Sequence, residues 1–239
     1  MPIPIHEPAW WGSLIWLGGV TAAAFAVAWL SGTRLRIPRV WYVPLLLAVT
    51  AGLALGYVAW LGVGFRDVAT ARWGWGLLAA VIAPILLAKP MSHQPVTRHV
   101  QGSQLRWELF WEGGVYGTGE GVLLSGLPPF ITWQMVHALG WQGTGGAVAR
   151  WGLPILAAAV VVVIHHVGYW SCRNVILLPI TLGLTVLTVG YLVTASWIAP
   201  ALGHIFMHFE ATLHGTEMPP HERPGPEAAV GSPLLRRAA

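Results

Sequence analysis

The sequence predicts an all-α fold, a polytopic transmembrane helical bundle of seven or eight spans, on three observations. Of 239 residues, 55% are hydrophobic and only 9% are charged, whereas a soluble domain carries roughly 25% charged residues. Apolar runs of bilayer length recur along the chain, about 20 residues sufficing for a span. The chain is also rich in tryptophan, with 15 in all. Trp10, Trp11, Trp29, Trp41, Trp60, Trp73, Trp75, Trp141, Trp151, Trp170 and Trp197 lie near the ends of these runs, as in an interfacial belt. No repeated ten-residue alternation suggests a barrel, so helices are the spanning elements.

The first run, 10–31, follows MPIPIHEPAWW, which lacks the basic region of a cleaved signal, and is expected to be a retained helix. Runs 40–63 and 73–89 complete an N-terminal three-helix region, 1–105. The core, 106–214, holds spans 106–127, 147–169, 174–194 and 196–214. A shorter stretch, 129–140, begins at Pro128-Pro129 and is too short to span easily, so it is expected to be re-entrant or interfacial. Residues 215–239, GTEMPPHERPGPEAAVGSPLLRRAA, cannot bury enough apolar surface to fold alone and read as an extended or disordered tail.

The net charge of +4 sits in short loops, so it is expected to orient the chain in the lipid bilayer and not to bind nucleic acid. Arg34, Arg36 and Arg39, then Lys89, Arg98 and Arg106, mark cytoplasmic loops; the 64–72 loop offsets Arg66 and Arg72 with Asp67. The positive-inside rule then places the N-terminus outside and, over seven spans, Arg173, Arg236 and Arg237 inside, as in a bacterial cytoplasmic (inner) membrane. The single cysteine, Cys172, excludes an intrachain disulfide.

Ionisable groups inside apolar spans are expensive and mark candidate sites. Glu120 adjoins a stripe of Gly113, Gly117 and Gly121 that lets another helix approach closely. His165 and His166 end the fifth span; adjacent residues lie about 100° apart on a helix, so only one of them can face a given site. His204 and His208, four apart in SWIAPALGHIFMHFEATLHG, share one face. That spacing suits two ligands to one metal, two groups on one substrate, or a haem ligand and its neighbour. Each group also has a bland reading, as a buried carboxyl or imidazole satisfied by nearby backbone. Glu108 and Glu112, nearer the helix start, read as interfacial.

The order of these groups resembles the CAAX protease and bacteriocin-processing (CPBP, or ABI) family of intramembrane endopeptidases, over roughly residues 115–212. Its pattern is Glu-Glu-x-x-x-Arg, then Phe-x-x-x-His, then His-x-x-x-Asn. Here Glu120-Gly121-Val122-Leu123-Leu124-Ser125-Gly126 keeps the first Glu, with Gly121 for the second and Ser125 for the Arg. Val161 or Val162 stands in place of Phe, four before His165 or His166. His204 takes the third motif's His, after Trp197, Ala199 and Pro200, and His208 stands where Asn is usual. The resemblance implies a CPBP-like core in which Glu120 and a histidine activate water while His204 and His208 stabilise an oxyanion. A carboxyl that has lost its Arg-tethered support in low dielectric is a poor base, so weak or lost peptidase activity is expected. Two other roles stay open: a non-catalytic accessory subunit working beside other membrane proteins, and a haem, metal or pigment carrier.

Overall fold

The computed structural model describes residues 9–93, 96, 100–169, 172 and 177–215. The expected extended tail beyond Gly215, and Arg98, Trp170, Arg173, Arg236 and Arg237, lie outside the described residues. Among the described residues every regular element is helical.

Helix α1 (Trp10–Ala28) runs on through a π-helical stretch, Trp29–Arg34. Helix α2 (Arg39–Trp60), the short α3 (Phe65–Ala69) and α4 (Trp73–Ser92) follow. Next come α5 (Gly102–Glu108), a π-helical stretch Leu109–Tyr116, α6 (Gly117–Glu120), a second π-helical stretch Gly121–Gly126, and α7 (Leu127–Ala138). Helices α8 (Gly143–Gly168), α9 (Leu177–Thr194) and α10 (Ile198–His214) complete the bundle.

Among the described residues five stretches are long and apolar enough to cross a membrane: Trp10–Arg34, Arg39–Trp60, Trp73–Pro90, Gly143–Gly168 and Leu177–Thr194. Their outer faces expose large apolar side chains, among them Ile15, Trp41, Ile85, Leu86, Val148 and Leu178, each more than 60% exposed. Such a surface needs lipid, and these are the helices of an integral membrane protein. The segments expected to span at 106–127 and 196–214 are helical too, and Glu108, Glu120, His204 and His208 in them are buried.

One expectation needs correction. Residues 106–127 and 129–140 are not a span followed by a separate re-entrant helix. The junction residues Glu108, Tyr116, Glu120 and Gly126 all keep right-handed helical dihedrals, so Gly102 to Ala138 forms one helical rod. Pro128 and Pro129 occupy the first turn of α7, and the preceding π-helical stretch absorbs their missing N–H groups without a break. Trp197 also departs from the interfacial belt: it is buried, edge-on to Phe65 and Phe130 at centroid distances of 5.9 and 5.6 Å.

The rod and α10 form the centre. α10 packs on α4, α9 and the Leu109–Gly126 part of the rod, while α1 and α8 close on α7. The glycine stripe sets this approach. A methyl on Gly113 would lie 2.4 Å from the Phe209 ring, one on Gly117 3.1 Å from the Ile205 Cα, and one on Gly121 2.4 Å from the Pro200 carbonyl oxygen. The last neighbour is backbone and has no rotamer with which to yield. Gly121→Ala therefore forces α10 away from the rod and is expected to cost about 1–3 kcal/mol, the usual penalty of overpacking. Thermal unfolding in detergent checks this, with Gly18→Ala, where a Cβ meets open space, as the near-neutral control.

Candidate functional site

A carboxylate in a low-dielectric interior must be matched by hydrogen bonds or opposite charge. Glu120, 3% exposed, is matched by four side chains from three directions. The Tyr116 hydroxyl, one turn earlier on the same rod, donates to Oε1 at 2.6 Å. His165 Nε2, from α8, lies 3.2 Å from that same oxygen. From α10, His204 Nε2 and His208 Nε2 reach Oε2 at 3.0 and 3.3 Å.

Each imidazole is placed by its own surroundings. His165 is fully buried, and its Nδ1 donates to the Ala24 carbonyl of α1 at 2.9 Å. A carbonyl oxygen only accepts, so Nδ1 carries the hydrogen and Nε2 is the atom aimed at Glu120. The Tyr169 hydroxyl stands 3.4 Å from that Nε2 and is itself bonded to Tyr42. His204 and His208 stack with centroids 4.8 Å apart, as their four-residue spacing on α10 demands. The Tyr116 ring meets His208 edge-on at 5.1 Å. His204 Nδ1 is buried without a hydrogen-bond partner among the described residues.

The structure thus brings four of the five candidate residues together and leaves out the fifth. His166 is buried, but its Nδ1 donates to the Val162 carbonyl one turn back at 2.8 Å. It serves its own helix. Nor is Glu120 isolated, as the loss of an arginine partner had implied: imidazoles and a phenol surround it. Ser125, at the position of the family arginine, donates to the Leu184 carbonyl of α9 at 3.2 Å. Arg39 of α2 pairs with Glu112, two turns before Glu120.

Sequence reasoning missed Tyr116, Tyr169 and Tyr42. The first two stand four residues from Glu120 and His165, a spacing that puts them on the same helix faces. Ligand-type atoms of Glu120, His204 and His208 all lie within 4.8 Å of one another. The cluster therefore offers a base, several N–H donors and metal-ligating atoms at one buried point.

Comparison of the chain with protein families, with curated proteins and with solved structures finds no match in any of the three.

Tyr116 makes the shortest of the four contacts to Glu120. Tyr116→Phe removes that donor and little volume, and is expected to cost about 1.5–3 kcal/mol, as for other hydrogen bonds to a charged group. The unfolding midpoint in detergent, compared with that of Tyr191→Phe at a buried tyrosine outside the cluster, reads the difference.

Proposed function

We propose that the protein is an intramembrane hydrolase of the CPBP kind, an endopeptidase of low turnover. The observation that supports this reading is the meeting of three imidazole Nε2 atoms, from α8 and α10, on the one carboxylate of Glu120. A water admitted between Glu120 and His165 loses its proton to the carboxylate and attacks the peptide carbonyl. The negative charge that develops on the carbonyl oxygen then meets the N–H groups of His204 and His208, a preorganised oxyanion site. The collapsing intermediate takes the proton back from Glu120 onto the leaving amine.

Turnover is low for a structural reason. Four side chains already saturate the carboxylate, so substrate and water must displace imidazole contacts before reaction. That saturation also favours a second reading: a polar clamp that fastens three helices in a non-catalytic accessory subunit. In either reading the chain lies in a bacterial cytoplasmic membrane with its N-terminus outside, seven spans with the rod counted once, and other membrane proteins beside it.

The test is incubation of the full chain in liposomes with a library of single-span membrane peptides, with products identified by mass spectrometry. Slow cleavage is expected, falling about 10²–10⁴-fold in Glu120→Gln and in His204→Ala, as for loss of a general base or an oxyanion donor. No cleavage by the wild type, together with a lowered unfolding midpoint for Glu120→Gln, rejects the hydrolase and leaves the clamp.

A further inference from the structure

We infer that Glu120, His204 and His208 form a binding site for a divalent transition-metal ion, with zinc the best fit. Two histidines and a glutamate are a zinc ligand set that leaves a fourth position open. Imidazole and carboxylate together also exclude the soft, thiolate-seeking ions and the all-oxygen preference of magnesium and calcium.

The geometry is close to what zinc requires. With ligand bonds of about 2.0–2.1 Å, neighbouring donors on a tetrahedron lie roughly 3.4 Å apart. His204 Nε2 and His208 Nε2 lie 3.0 and 3.3 Å from Glu120 Oε2, and the whole set falls within 4.8 Å. Two of the three separations already stand near that spacing, and closing the third draws the two stacked imidazoles together by at most about 1.4 Å. Both histidines come from one face of α10, which the glycine stripe holds against the rod.

The orientation of His165 adds to the ligand geometry. The hydrogen on His165 Nδ1 is committed to the Ala24 carbonyl, so a neutral His165 turns a lone pair toward Glu120 Oε1 at 3.2 Å. That places the free nitrogen of His165 beside the carboxylate of the proposed ligand set. His165 is thus oriented as a further ligand or as a partner of the ligating carboxylate, the outer contact that metal sites commonly use. His208 completes the set: the Asn of the family pattern would offer an amide, a poor ligand for zinc.

The inference does not rest on hydrolysis. While Glu120 ligates a metal it is not free to take a proton from water as the proposed base, so the metal-bound and base-catalytic forms exclude one another.

The test uses the full chain in mild detergent, stripped with chelator and titrated with Zn²⁺ and with Co²⁺. Bound metal is counted after gel filtration, and Co²⁺ is read by its visible absorption. One ion per chain is expected. His204→Ala and His208→Asn should weaken binding by at least about 100-fold, more than loss of an outer partner usually costs. His93→Ala, at an exposed histidine outside the cluster, should leave it unchanged. His208→Asn is the conservative variant, and circular dichroism with gel filtration establishes that it folds. A wild-type chain that retains no metal overturns the inference, as does a folded His208→Asn chain that binds as well as the wild type. Zinc binding with no peptide cleavage by the chelator-stripped, metal-free chain would reject the hydrolase and keep the metal site; cleavage by a chain that binds no zinc would do the reverse.

Discussion

The buried carboxylate of Glu120 is the constraint on which the rest of the molecule depends. A carboxylate taken out of water costs several kcal/mol unless its lone pairs are met. No single helix can meet them all. Tyr116 comes from the rod itself, His165 from α8, and His204 and His208 from α10. A carbonyl of α1 in turn fixes the tautomer of His165. Satisfying one side chain thus specifies how four helical elements are arranged, and in lipid, where apolar packing discriminates weakly between arrangements, such polar contacts carry much of the specificity.

The steric arrangement serves the same end. Helices carrying bulky side chains pack 8–10 Å apart, and the imidazoles of α10 then stand away from the rod's carboxylate. Gly113, Gly117 and Gly121 remove that obstacle on the face turned to Phe209, Ile205 and Pro200. The rod is π-helical on both sides of α6, over Leu109–Tyr116 and Gly121–Gly126. Wide turns of this kind recur at functional sites. Here they let the rod hold its glycine face on α10 while Gly119, on the other side, packs against Leu46 and Leu47 of α2.

The class of fold was legible in composition alone, and the shared face of His204 and His208 was legible in their spacing. Other features were hidden for physical reasons. Pro128-Pro129 reads locally as a break, because a proline's cost in a helix depends on which N–H would otherwise be bonded, and a π-helical stretch alters that pattern. His165 and His166 are indistinguishable in an apolar run. The Ala24 carbonyl, 141 residues away, selects between them, and no local signal reports it. Tyr116 and Tyr169 stood at the right spacing, but Tyr169 near the end of its span reads as interfacial, and Tyr116 in mid-span reads as one more core aromatic. Trp197 was misplaced for the same reason. An aromatic residue's position along a span does not reveal which way its ring turns, and Trp197 turns onto Phe65 and Phe130.

Two differences from the CPBP pattern that the sequence resembles fall on the support of Glu120. In that pattern an arginine stays close to the glutamate's own helix, and a guanidinium neither loses its proton nor binds metal. Here Ser125 occupies that position and turns to a carbonyl of α9, while Arg39 pairs with Glu112, nearer the start of the rod. In this chain anchoring the helix and supporting the carboxylate fall to different residues. The carboxylate is supported by imidazoles, His208 among them. Imidazole can gain a proton, give one up, change tautomer or ligate a metal near neutral pH. Glu120 is therefore held by partners that can be exchanged without dismantling the helix packing that Arg39, Glu112 and the glycine stripe maintain.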